Sequence, residues 1–173
     1  WNVTTDLGSS YFTRVKYVNG LFFAFKNYQY FYTSSDGITW TEHNLVSSSG
    51  RLVDAAYGNG LYACAGINGV IFTSPDGMTW TQRSSGVAGP FQNIIFEENK
   101  FAAACQRSDG SNDGASVYST DGITWSHVHS FNYGNEVCDI YLITYHKGLF
   151  IMFYAFGIYT SPDAIAWTNR YHN

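Results

Sequence analysis

Three groups of side chains in this 173-residue sequence are suited to chemistry. The first is the run Ser126-His127-Val128-His129-Ser130-Phe131-Asn132-Tyr133-Gly134-Asn135-Glu136. It mixes ring faces for stacking with amides and a carboxylate for planar hydrogen bonding, the combination that sugar recognition requires. Its candidate ligand-binding residues are His127, His129, Asn132, Tyr133, Asn135 and Glu136. His127 and His129 stand two apart, so on a strand they would share a face and could hold a metal, although no third ligand is evident. The second group is Arg107-Ser108-Asp109-Gly110-Ser111-Asn112-Asp113-Gly114. Asp109, Ser111 and Asp113 offer oxygens at the alternate positions that open a calcium loop. The twelfth position holds Thr120 where such a loop wants a bidentate Glu, so a solvated hairpin loop is the competing expectation.

The third group is cationic: Arg14, Arg51, Arg83, Arg107 and Arg170. A clustered set would grip a carboxylate, as in a sialidase-like site, which also needs a Tyr with a carboxylate beside it. No such triad can be assembled from the sequence. No Ser–His–Asp or Cys–His arrangement can be argued either, so catalysis is not expected and a glycoside hydrolase is the alternative reading. Arg51, Arg83 and Arg107 remain candidates for ligand binding, and Arg14 and Arg51 lie near equivalent strand starts that could face a central channel.

The elements that must position these groups are repeats. The string Ser74-Pro75-Asp76-Gly77-Met78-Thr79-Trp80 has near copies ending at Trp40, Trp125 and Trp167. Counting Trp1, the successive Trp spacings are 39, 40, 45 and 42. A period near 40 in a strand-rich chain predicts propeller blades of four antiparallel strands. The second repeat reads most clearly. Strands are expected over 52–57, 61–65, 70–73 and 79–82, with Asn59-Gly60 as a tight hairpin. The Ser-x-Asp-Gly string is the hairpin between third and fourth strands, where Ser and Asp accept bonds from turn N–H groups. The Trp beyond it begins the outermost strand and is expected to wedge against the neighbouring blade, burying about 150–250 Å². Repeats run over about 1–39, 40–79, 80–124 and 125–167, with a trailing strand at 167–173. In the last copy Ala164 replaces Gly, at a cost of about 1–2 kcal/mol if it takes a positive φ.

Bulk properties narrow the function. Hydrophobic residues make up 45% and charged residues 13%, with a net charge of -4, so a nucleic-acid groove is not expected. No apolar run reaches the roughly 18 residues of a membrane span. The start at Trp1 rather than Met suggests a processed or longer chain. Cys64, Cys105 and Cys138 lie in apolar runs and read as buried thiols rather than a disulfide scaffold.

With its Ser-x-Asp-Gly-x-Thr-Trp strings in register and a preceding "AYGNGLYACAG", the whole chain resembles the Asp-box, or bacterial-neuraminidase-repeat, class of β-propeller. Sialidases usually carry one more residue between Asp and Gly. The shorter spacing is more similar to propeller modules of phage tail fibres and bacterial surface proteins. The resemblance makes Asp36, Trp40, Asp76, Trp80, Asp121, Trp125, Asp163 and Trp167 structural box residues. It implies a non-enzymatic module, extracellular or on a virion surface, that recognises a glycan or protein receptor through its loop rim, without a cofactor unless calcium binds. The alternative is a structural subunit of a viral or filamentous assembly. The extra outer strand at Trp1 leaves three expectations open: a four-bladed ring with a spare strand, part of a larger ring, or strands shared with other copies.

Overall fold

The computed structural model describes residues 2–4, 11–26, 30–45, 51–106, 114–131, 139–155 and 157–172. They form four antiparallel sheets, one per repeat. Blade 1 comprises β2 (Phe12–Val18), β3 (Leu21–Lys26), β4 (Tyr30–Ser34) and β5 (Trp40–Asn44), with β1 (Asn2–Thr4) added outside β5. Blade 2 comprises β6 (Leu52–Gly58), β7 (Leu61–Gly66), β8 (Val70–Ser74) and β9 (Thr81–Ser84). Blade 3 comprises β10 (Phe91–Glu97), β11 (Lys100–Cys105), β12 (Gly114–Ser119) and β13 (Ser126–Phe131). Blade 4 comprises β14 (Ile140–His146), β15 (Leu149–Tyr154), β16 (Gly157–Ser161) and β17 (Thr168–His172). The sequence unit cut at the Trp is therefore offset by one strand from the sheet. Among the described residues no helix is long and apolar enough to cross a membrane.

Local chemistry explains the hairpins. The first turn of every blade has two consecutive residues at positive φ: Asn19-Gly20, Asn59-Gly60, Glu98-Asn99 and Lys147-Gly148. That is the type I′ geometry whose twist matches the strands it joins. The second conserved-geometry turn is polar. Ser74 Oγ donates to Asp76 Oδ1 at 2.8 Å and accepts from the Gly77 N–H at 2.8 Å. Asp76 Oδ1 then accepts from the Met78 and Thr79 N–H groups at 2.8 and 2.7 Å. The same carboxylate pattern recurs at Asp36, Asp121 and Asp163. These backbone donors hold the Asp36 and Asp76 carboxyls down at about 2.

Packing between blades falls into three clusters, one per junction. Phe23, Phe25 and Phe31 of blade 1 meet Ala55, Tyr62 and Cys64 of blade 2. Ala56, Ala63 and Ile71 of blade 2 meet Ile94, Phe101 and Val117 of blade 3. Ala102 and Ala104 of blade 3 meet Ile143, Phe150 and Met152 of blade 4. Three of the Trp residues pack at inter-blade clusters: Trp80 stands edge-on to Phe31 at 5.3 Å, Trp125 joins the cluster holding Ala63 and Ile71, and Trp167 packs against the one holding Ala102 and Ala104. Of the described Trp residues, Trp125 is buried and Trp40, Trp80 and Trp167 are half-buried. Cys64 and Cys105 are buried, and burial pushes the Cys64 thiol up; Cys138 lies outside the described residues.

β1 pairs antiparallel with β5, Val3 opposite Thr41, so it widens blade 1. Among the described residues no buried cluster joins blade 4 to blade 1.

Candidate functional site

The innermost strands share an irregularity that shapes the axial face. Register shifts fall between Phe12 and Arg14, Leu52 and Asp54, Phe91 and Asn93, and Ile140 and Leu142. Each shift leaves one residue without a ladder partner: Thr13, Val53, Gln92 and Tyr141. A bulge re-aims the residue it contains. Thr13, Val53 and Gln92 are turned onto one cleft of about 350 Å³, lined also by Arg14, Arg51, Ile67, Pro90, Phe91 and Gln106. The cleft thus lies at the starts of the inner strands and beside the loops that join second to third strands.

Below the cleft, one buried carboxylate organises the cations. Asp54 interrupts the apolar strand β6 and is 1% exposed. Arg14 Nη1 reaches its Oδ2 at 3.2 Å, and Lys16 Nζ lies 3.1 Å from each carboxylate oxygen. The Ile94 N–H donates to Oδ2 at 3.1 Å, which ties blade 3 to the same group. Two cations thus share one carboxylate, and Arg51 stands at the cleft wall. The arrangement suits an anionic group entering between the Arg side chains, with Gln92 and Gln106 as neutral donors and acceptors. No carboxylate, imidazole or thiol is among the described side chains that line the cleft.

The structure separates the residues the sequence grouped. Arg51 lines the cleft with Arg14. Arg83 sits on β9, the outermost strand of blade 2, where its Nε donates to Thr73 Oγ1 at 2.9 Å, and it does not reach the cleft. Arg170 makes the matching bond to Thr160 Oγ1 at 2.8 Å on β17. His127 is exposed on β13. Across the register shift in β13, His127 is level with Val117 and His129 with Ser116. Among the described residues no group of three or more His, Cys, Asp or Glu side chains is placed to hold a metal. Asn132, Tyr133, Asn135, Glu136, Arg107 and the calcium candidates Asp109, Ser111 and Asp113 lie outside the described residues. Sequence reasoning missed Gln92, Gln106 and Asp54; a lone acid in an otherwise apolar inner strand was the available sign of Asp54.

Comparison with known proteins gives the fold a setting. Residues 4–94 match the family described as DUF6242 beta propeller domain. No curated protein sequence is similar enough to count as a relative. Among solved structures, YCF48 bound to D1 peptide superposes with a TM-score of 0.66 at 13% identity, over 100% of this chain and 57% of that one. PorZ, a surface component of the type-IX secretion system of Porphyromonas gingivalis, gives 0.60 at 19% identity, over 84% and 24%. Myxococcus xanthus glutaminyl cyclase gives 0.54 at 12% identity, over 95% and 71%. The chain spans little more than half the length of the YCF48 chain it matches. At these identities the likeness is one of fold, and it includes a protein named as an enzyme as well as a peptide-bound protein and a secretion-system component.

Proposed function

The chain belongs to the DUF6242 β-propeller domain family, and from that premise we propose that it is a non-enzymatic recognition module binding an acidic peptide segment in the axial cleft. The observation that carries this reading is the convergence of Arg14 and Arg51, with Gln92 and Gln106, on one cleft. Arg recognises carboxylates through paired N–H donors, and the Asp54 pairing fixes the Arg14 head rather than leaving it to roam. A peptide is preferred as ligand because a propeller of this shape, YCF48, is known with a bound peptide. The absence of carboxylates, imidazoles and thiols among the described lining side chains supports binding over catalysis.

The repeat resemblance carries the narrower part of the proposal. The Ser-x-Asp-Gly turns are Asp boxes, and the module works at a bacterial or virion surface, in an adhesin or phage tail fibre. A glycan receptor is the second reading, favoured by the aromatic and amide-rich run at 126–136. An acidic uronate or sialate would use the same Arg pair.

Calorimetry with a panel of acidic peptides, their amidated counterparts and sialylated or uronate oligosaccharides tests the reading. Arg51→Ala is expected to weaken peptide binding about tenfold, the equivalent of roughly 1.4 kcal/mol. Amidated peptides that bind as well as acidic ones would sink the carboxylate reading. Binding by the oligosaccharides alone would replace the peptide with a glycan.

A further inference from the structure

The inner strands of the first three blades carry a second pocket beyond the cleft. It has a volume of about 230 Å³ and is lined by Lys16 and Tyr17 of β2, Ala56 and Tyr57 of β6, and Phe96 and Glu97 of β10. The cleft draws Arg14, Val53 and Gln92 from the same three strands. The offset between the two is about three or four residues along the strands, or roughly 10–13 Å at about 3.3 Å per residue.

A buried carboxylate separates the two pockets. Arg14 lines the cleft, Lys16 lines the second pocket, and both reach Asp54. Their side chains remain 41% and 35% exposed. A ligand laid along the three strands therefore crosses a partition whose charges are already paired.

The second pocket has a different chemistry from the cleft. Its walls are rings, and each ring is held. Tyr57 packs on Tyr62 at 4.7 Å, Phe96 on Phe101 at 4.7 Å and Tyr17 on Phe22 at 4.8 Å. Phe96 also lies against Gly58 of the neighbouring blade, where an added Cβ would stand 2.1 Å from the ring. The same ring pair recurs in blade 4 as Tyr145 and Phe150, so the aromatic edge belongs to the repeat. Between the rings stand Ala55 and Ala56, both small and buried. Of the two charged residues in the lining, Lys16 is engaged by Asp54 and Glu97 is exposed, so an apolar occupant buries no lone charge.

We propose that this pocket is a second subsite for the peptide, which rests on the carboxylate reading of the cleft. It takes a large apolar side chain, preferably aromatic, about three or four residues from the acidic residue held at Arg14 and Arg51. The occupant belongs to the same peptide because one extended segment along β2, β6 and β10 reaches both pockets. A ring is preferred because fixed aromatic walls reward edge and face contacts.

Calorimetry on the whole chain tests this with Gly-Ser peptides that carry a single Glu. One Phe is moved outward from the Glu on either side, with Ser in its place as reference. Phe at about three or four residues from the Glu is expected to bind about tenfold tighter than Ser there, as a ring that leaves water in part would give. Phe next to the Glu is expected to gain nothing. Tyr57→Ala is expected to erase the gain and leave the Ser peptide unchanged, while Tyr57→Phe keeps it. Tyr17→Ser alters an exposed side chain of the same pocket and is expected to reduce the gain, which keeps the test open should Tyr57→Ala fail to fold. A gain at every Phe position overturns the proposal. So does a gain that survives both Tyr57→Ala and Tyr17→Ser, and so does a Lys that binds better than Phe in the same place. Glu peptides that bind through Arg51 with no gain from Phe at any position remove the second subsite and leave the carboxylate site standing. Failure of every Glu peptide to bind removes both.

Discussion

The junction between blades 1 and 2 and the junction between blades 3 and 4 differ in which blade supplies the rings. In the first both do: Phe23, Phe25 and Phe31 of the leading blade meet Tyr62 and Phe72 of the following one, beside Ala55 and Cys64. In the last, the leading blade supplies Ala102 and Ala104, and the following blade supplies Phe150, Met152 and Tyr154. The polar ties differ as well. Arg14 and Lys16 join blade 1 to blade 2 through the Asp54 carboxylate. Asn93 joins blade 3 to blade 4 by an uncharged pair of bonds, Nδ2 donating to Ile143 O at 2.7 Å and Oδ1 accepting from the Ile143 N–H at 2.9 Å. The difference teaches that the repeat fixes the distance between blades, not which side fills it. What must be kept is the summed volume and a satisfied polar link.

The largest expected effect follows from the crowded side of that comparison. Phe31 is 1% exposed, stacks on His43 at 4.6 Å and meets Trp80 edge-on at 5.3 Å. Its counterpart in blade 3 is Ser116, buried in a space that needs no ring. Phe31→Ala is expected to cost about 3–5 kcal/mol in urea unfolding, because flanking rings held by two sheets collapse poorly into the cavity. A cost below about 1 kcal/mol would mean that the first junction is as loosely specified as its Ala-rich counterpart.

The next effect is one of pH and separates the same two junctions. His43 is buried beside Thr33, Phe31 and Trp80, and burial pulls its imidazole down to about 4. Unfolded, it titrates near 6.5. The unfolded chain therefore binds more protons between those values, and stability falls as pH drops from about 6.5 to 4. A shift of this size corresponds to a loss of about 3 kcal/mol, nearly complete by about pH 4. The turn carboxyls of Asp36 and Asp76 add a later loss between their unfolded value near 3.9 and about 2. The blade 4 residue that bonds a strand Thr in the same way is Arg170, whose charge does not change in this range. Amide exchange at pH 5 is expected to accelerate in β4 and β5 more than in β16 and β17, and His43→Gln should erase the contrast.

How much of this was legible in the sequence depends on the range of the interaction. Turns are local, so Asn59-Gly60 and Ser74-x-Asp76-Gly77 announced their conformations and with them the strand order. The cleft's composition was not legible, because Gln92 reaches it only through a bulge whose register is set by the paired strand. Arg83 lies away from the cleft because its distance from the axis depends on strand rank within the blade rather than on residue type.

The smallest expected effect tests the idea that each junction compensates across the gap. Ala164 stands where blades 1 to 3 have Gly37, Gly77 and Gly122, and it takes φ of 60°. A left-handed alanine costs about 1–2 kcal/mol, yet Ala164 is 1% exposed and belongs to the junction core. The preceding blade explains why it fits. The Leu that confronts Gly77 and Gly122 is replaced in blade 3 by Lys100, which pairs with Glu97 as Leu61 does with Gly58. A Lys can swing its stem aside and keep its charge near Asp163, whose carboxyl is lowered chiefly by the Ala166 N–H and also by Lys100. Ala164→Gly relieves the backbone and forfeits one buried methyl of roughly 0.8 kcal/mol, so thermal unfolding is expected to rise slightly, by less than about 1 kcal/mol. Gly77→Ala takes the same strain and adds the collision with Leu21, so it is expected to lose at least about 2 kcal/mol. Pairing Gly77→Ala with Leu21→Lys should restore part of that loss, since it rebuilds the blade 3–4 solution at the first junction; strictly additive effects in the double variant would show that the two positions do not compensate.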